Sequence, residues 1–255
     1  METLVRLDLT GGVATVTLDS QHNRNALSQQ LVSELAEAIA DAESADARAI
    51  VLRHEGPAFC SGADLKERSS ASGAPDSRPM VLVMQRLMDT DRPTIAAVSG
   101  AVRAGGIGLM ASCDLVVVDA AVTFALTEVR IGVAPAIISV PVLRRVPAGK
   151  IATAMLTGEP FDAATAREMG LITHVTHDVP ATVEQLCQGI LAGAPRAIAA
   201  TKRLLGRIGQ LDRDLAFTQM RALSDELFSG PDAAEGMAAF RERRAPVWPG
   251  QASSR

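Results

Sequence analysis

At 255 residues, with 47% hydrophobic and 21% charged side chains, the chain can bury a large core and has the make-up of a globular enzyme. A net charge of −4, with 3% aromatic side chains and no tyrosine, leaves neither the positive field nor the stacking platforms that a nucleic-acid partner requires.

Alternation in "VRLDL" and "VATVTLD", joined through Thr10-Gly11-Gly12, predicts a β-hairpin. "SQQLVSELAEAIADAES" carries apolar residues at helical spacing from Leu31 to Ala42, with Ser28 as its N-cap. "ARAIVLRHEG" reads as a strand and leads into "PAFCSGADLKE", where small residues flank a turn. "ERSSASGAPDSRP" reads as a polar surface loop. "MVLVMQRLMDTD" returns to helical spacing, "TIAAVSG" is a buried strand, "GIGLMASC" a short buried helix and "DLVVVD" a strand. To about residue 135, two strands often precede one helix. Beyond it, six segments from "AGKIATAMLTG" to "PDAAEGMAAFRERR" are helical by spacing and by their Gly or Pro stops.

Cys60, Cys113 and Cys187 lie in apolar runs and are expected to be buried, reduced thiols. "METLVRLDLTGG" lacks a cationic stretch followed by an apolar one, and "TIAAVSGAV" is broken by Gly100 and Arg103. The expectation is a cytoplasmic protein with no membrane partner.

Three candidate sites compete. Gly106-x-Gly108-x-x-Ala111 has the spacing of a dinucleotide-binding turn, but it is short and lies mid-chain, outside an opening β-α-β unit. His174-x-x-His177 with Asp178 could hold a metal, yet no further His or Cys cluster is near in sequence, and surface histidines explain it better. His22 and His54 are isolated, and Cys60 reads as a core thiol rather than a nucleophile. The third candidate joins "CSGADL" to "VRAGGIGL", each a strand, a pair of small residues and a helix start. Both would present main-chain N–H groups lacking intrahelical partners, and two of them converging on one oxygen form an oxyanion hole. The alternative is a pair of tight strand-to-helix turns.

"FCSGADLKE", "AVRAGGIGLMASCDLVV" and "FALTEVRIGVAP", in that order and spacing, resemble the enoyl-CoA hydratase/isomerase (crotonase) family. "NRNALS", "MLTGEPFDAATAREMGLI" and "EGMAAFRERRAPVW" extend the resemblance over nearly the whole chain. The resemblance implies an α/β fold, a crotonase-like spiral of ββα units. It further implies a core over residues 1–195 and a C-terminal helical region, 196–255, that builds trimers or paired trimers. The substrate is expected to be an acyl-CoA thioester, with no separate cofactor and no metal. The enolate oxygen would sit on the amides of Ala63 and Gly105, and Glu128 would carry the proton. Arg24, Ala26, Ala63, Asp64, Leu65, Lys66, Gly105 and Gly108 would line the CoA and acyl site. Loop 68–79, "MVLVMQRLM" and "APAIISVPVL" would shape the acyl pocket.

Family hydratases commonly carry two glutamates, and the position matching the first is Gly108. Hydration of a 2-enoyl-CoA is the first expectation, since some hydratases of the family share this glycine. Isomerisation of a 3-enoyl-CoA by one carboxylate, other acyl-CoA reactions such as hydrolysis or C–C cleavage, and a catalytically silent acyl-CoA-binding protein are the alternatives. Arg103 and Ala104 also depart from the family pattern, and Arg103 is expected either to face solvent or to meet an acidic substituent of the acyl group.

Overall fold

The computed structural model describes residues 2–70 and 76–248. The hairpin forms from β1 (Val5–Thr10) and β2 (Val13–Leu18). Gly11 and Gly12 supply the turn with φ of +58° and +82°, a pair of values that side chains disfavour. Helix α1 (Gln29–Ser44) follows, its N-cap Ser28 accepting from the Leu31 amide. Then come β3 (Ala49–His54), β4 (Ala58–Cys60), α2 (Leu65–Ser70) and α3 (Arg78–Asp89). Next are β5 (Thr94–Val98), β6 (Ala101–Arg103), α4 (Gly105–Ala111), β7 (Leu115–Asp119) and β8 (Thr123–Ala125). A 3-10 turn (Thr127–Ile131) leads to α5 (Ala136–Arg145) and α6 (Ala148–Thr157). The chain continues through β9 (Phe161–Asp162), α7 (Ala163–Met169), β10 (His174–Thr176) and α8 (Val179–Ala192). It closes with α9 (Pro195–Arg207), α10 (Arg213–Phe228) and α11 (Pro231–Glu242).

One of these elements differs from the sequence reading, and another falls on a segment named there only for the acyl pocket. The polar stretch expected to be loop starts as α2, because Asp64 Oδ1 accepts from the Lys66 and Glu67 amides and starts a helical turn. Its residues 71–75 lie outside the described structure, as does that part of the expected acyl-pocket loop. "APAIISVPVL" proves to be helical as α5, despite Pro141 inside it.

From β3 to β8, successive strands go to different sheets. One sheet has the order β1-β2-β3-β5-β7-β10, parallel from β2 onward, and the other β4-β6-β8-β9, parallel through β8. The repeat is therefore one strand in each sheet and then a helix. The period of two along a strand divides each apolar run between two faces. Ile50 and Leu52, Ala96 and Val98, and Val116 and Val118 face the main core. Val51, Ile95, Ala97 and Val117 face α8, which covers them with Val179, Val183 and Cys187. All three cysteines are buried and free, as expected.

Buried polar contacts lock the layers. Lys202 of α9 donates to the Leu87 and Arg92 carbonyls and pairs with Asp114, each at 2.9 Å, while Thr94 holds the same carboxylate. His54 is buried edge-on to Phe59, its Nε2 accepting from the Ser99 amide at 3.1 Å. Trp248 is buried beside Gly236 of α11, and its indole N–H donates to the Ala192 carbonyl at 2.7 Å. In contrast, no side chain of α10 is buried, and Phe217, Phe228 and Phe240 are 71%, 71% and 86% exposed.

Candidate active site

The site lies at the C-terminal ends of three neighbouring parallel strands. Cys60 of β4 pairs with Val102 of β6, and Arg103 of β6 with Ala125 of β8. Chain leaving those ends carries Ala63, Gly105 and Glu128 respectively, so the topology brings the three residues to one sheet edge.

The first two turns lie against each other. Gly62 has φ +95°, and a Cβ there would come within 3.0 Å of the Ala104 Cβ. Ala104 itself sits at φ +47°, strained for a residue with a side chain. A Cβ on Gly105 would fall 2.7 Å from Leu27 Cδ1 and 3.9 Å from the Gly62 α-carbon. Among the described residues, neither the Ala63 nor the Gly105 amide donates to a protein acceptor.

"NRNALS" underlies this pair of turns. The Asn25 side chain is buried, accepting from the Ser20 amide and donating to the Glu55 and Ala58 carbonyls. The Leu27 amide donates to the Gly62 carbonyl at 2.8 Å, and the Ser61 amide to that of Arg24 at 3.1 Å. Asn23 Nδ2 reaches Asp64 Oδ2 at 3.1 Å. The helix-start amides of Glu67 and Lys66, with Asn23, hold the Asp64 carboxyl below the ordinary range. Arg24, in the left-handed conformation, is exposed, as are Leu65 and Lys66; Ala26 is buried.

Glu128 enters in the 3-10 turn after β8, half-buried. Its Oε2 is buried with no hydrogen-bond partner. Burial raises its pKa above the ordinary 4.5, against a smaller opposing contribution from its own backbone. Arg130 does not neutralise it: that guanidinium donates to the Thr157 carbonyl at 3.0 Å and pairs with Glu159.

Gly108 has closed surroundings. A Cβ there would meet Ile138 Cγ2 at 2.4 Å, Ile138 Cβ at 2.6 Å and Met84 Cε at 2.8 Å. No side chain fits where a second carboxylate would start. Met84 and Ile138 belong to two of the three segments expected to shape the acyl pocket, and they meet at this glycine. Gly106 is also closed in, by Cys60 at 2.7 Å from a Cβ built there; burial pushes the Cys60 thiol up to about 12, so it stays protonated.

Arg103 is not aimed at a carboxylate. It donates to the Val102 and Thr123 carbonyls and to Thr123 Oγ1, bracing β6 against β8. His174 contacts Thr173 Oγ1, and no group of metal-ligating side chains assembles among the described residues. Of two surface cavities, of about 280 and 290 Å³, one lies outside the Asn23–Asp64 contact, beside the expected CoA-site residue Asp64, and the other between α9 and α10. The strand-end geometry, rather than cavity size, marks the site.

The family model described as enoyl-CoA hydratase/isomerase matches residues 8–251. The chain belongs to this family. As a member of the enoyl-CoA hydratase/isomerase family it is 35% identical over 253 residues to the mitochondrial enoyl-CoA hydratase domain-containing protein 3 of Rattus norvegicus, covering 93% of this chain and 81% of that one. The crystal structure of an enoyl-CoA hydratase from Mycobacterium smegmatis superposes with a TM-score of 0.89 at 31% identity, over 97% of this chain and 99% of that one. One from Mycobacterium avium is 42% identical with a TM-score of 0.73, over 96% and 99%. The fold is that of the crotonases, as the resemblance implied. No helix among the described residues is long and apolar enough to cross a membrane.

Proposed function

We propose that this family member hydrates a 2-enoyl-CoA thioester in the breakdown of straight, branched or cyclic acyl chains. The observation that carries the reading is Glu128: a buried, unpartnered carboxyl oxygen at the strand edge that also bears two uncommitted amides. The thioester oxygen accepts from the Ala63 and Gly105 N–H groups, and the β-carbon becomes electrophilic. Water adds there, and the electron pair moves onto the thioester as an enolate. Glu128 takes the water's proton and returns it to the α-carbon, which requires a pKa near neutrality, and its burial supplies the shift in that direction. CoA arrives as part of the substrate, against Arg24, Ala26, Asp64, Leu65 and Lys66, and no further cofactor enters the reaction. The exposed aromatic side chains of the C-terminal helices support a role for region 196–255 in a trimer or hexamer, and three reduced thiols suit the cytoplasm.

A second reading is Δ3-Δ2 isomerisation, favoured by the packing of Gly108. With that position closed, one carboxylate serves the site, and moving a proton from C2 to C4 of a 3-enoyl thioester needs no more. Absorbance of the conjugated enoyl thioester separates the two: loss from crotonyl-CoA supports hydration, and gain from a 3-enoyl-CoA supports isomerisation. Binding of both with no change in either, unaltered in Glu128→Gln, favours a silent acyl-CoA-binding protein over these two substrates' chemistry, with branched, carboxylated or cyclic acyl-CoA esters the next to be assayed.

A further inference from the structure

Helix α4 presents the Gly105 amide at one end, and its other end leaves carbonyls without intrahelical partners. There the guanidinium of Arg145, the last residue of α5, spans the exit of the helix. Nη1 donates to the Ala111 carbonyl at 3.2 Å and to that of Cys113, and Nη2 to that of Asp114 at 2.9 Å. Earlier in α5, Ile138 packs onto Gly108, midway along α4. The chain entering α5 comes directly from the Glu128 turn, which is closed by the Val133 amide on the Glu128 carbonyl at 3.1 Å. One helix therefore links the carboxylate turn to two points on the helix that carries the oxyanion donor.

We infer that Arg145 is a positioning residue for the oxyanion hole, holding α4 at its far end so that the Gly105 N–H stays aimed at the thioester oxygen. The inference rests on the proposed enolate chemistry. Seven residues make α4 only about 10 Å long, so a displacement at Ala111 reaches Gly105 with little loss. The cation also lies at the negative end of the helix, where it favours an anion at the other end. The charged groups near it are otherwise engaged, since the Asp114 carboxylate is held by Lys202 and Thr94. A lysine cannot replace the three-carbonyl clasp, because one ammonium lacks the planar fork.

The test uses acetoacetyl-CoA, whose enolate absorbs in the near ultraviolet, bound to the full-length protein across a pH series. The wild type is expected to enolise the bound ester at a lower pH than in free solution. In Arg145→Met the midpoint should rise by about one pH unit, a tenfold loss of preference for the enolate, while butyryl-CoA binding changes less than about threefold. Arg145→Lys should fall between them, and it carries the test if the methionine variant does not fold. A change in folded fraction alone alters the amplitude of the band but not its midpoint. Wild-type midpoints in the variants overturn the role of Arg145 while the oxyanion hole stands. A wild-type complex with no enolate band overturns both.

Discussion

Gly108→Ala adds one carbon to the tightest contact in the site. Carbon atoms pack at about 3.5–4.0 Å, so the new Cβ overlaps Ile138 Cγ2, now 2.4 Å away, by about 1 Å. The Met84 Cε, at 2.8 Å, is the end of a flexible side chain and can swing aside, whereas Ile138 is β-branched and buried. Overpacking of this kind costs about 1–3 kcal/mol, which in a chain of this size lowers the melting temperature by about 2–12 °C. The function should suffer more. Gly108 lies three residues beyond Gly105, about 4.5 Å along the helix axis, and a misplacement of about 1 Å at a reacting group can cost a factor of about 100 in rate. Differential scanning calorimetry and turnover of the acyl-CoA ester that the wild type accepts give both quantities. Ile138→Ala removes the Cγ2 overlap but keeps the Cβ, 2.6 Å away, and leaves a cavity, so by itself it should cost about 2–5 kcal/mol. Gly108→Ala should then cost less in the Ile138→Ala background than in the wild type, with part of the penalty remaining. A Gly108→Ala protein that melts and turns over like the wild type would refute the claim that α5 closes this position.

Further outcomes follow from the buried charges. Glu128→Gln should lower turnover by a factor of about 100–10,000 while acyl-CoA binding, read by calorimetry, persists. The raised pKa of Glu128 means that the folded state holds this proton more tightly than the unfolded chain. Its contribution to stability is thus complete below about 4.5 and lost as pH rises through the folded value, a loss the glutamine variant should not show in urea titrations. Burial lowers the pKa of His54, the reverse case: stability is complete above about 6.5 and lost as pH falls, and His54→Gln should flatten that acid limb. Lys202→Met strips a buried carboxylate and two carbonyls of their donor. It should cost about 3 kcal/mol, less than a fully enclosed pair because the Asp114 side chain is 25% exposed, and Asp114→Asn should restore part of it in thermal melts.

Much of the site can be read from the sequence because its donors belong to local patterns. A strand, a small pair and a helix start place an amide wherever they occur, so Ala63 and Gly105 stand out in "CSGADL" and "RAGGIG" without any knowledge of their neighbours. Glu128 stands out as one acid in an apolar segment. Contacts that depend on a third element do not. The sequence shows that position 108 is glycine; that Ile138 and Met84 fill its surroundings depends on how α3, α4 and α5 meet. Arg145, one of two adjacent arginines, reads as surface charge until α5 is seen to end at the exit of α4. Strands β8 and β9 span three and two residues, too few for alternation to register, and Pro141 hides a helix whose packing outweighs its lost hydrogen bond.

The single tryptophan has a practical use. With no tyrosine in the chain, Trp248 is the dominant fluorophore, and it sits where the end of α8 meets α11 rather than among the groups proposed to handle the thioester. Its emission therefore monitors the seating of the last helix on the body independently of turnover. A red shift preceding the loss of far-ultraviolet ellipticity during heating would mark the C-terminal arm as the first part of the molecule to come away.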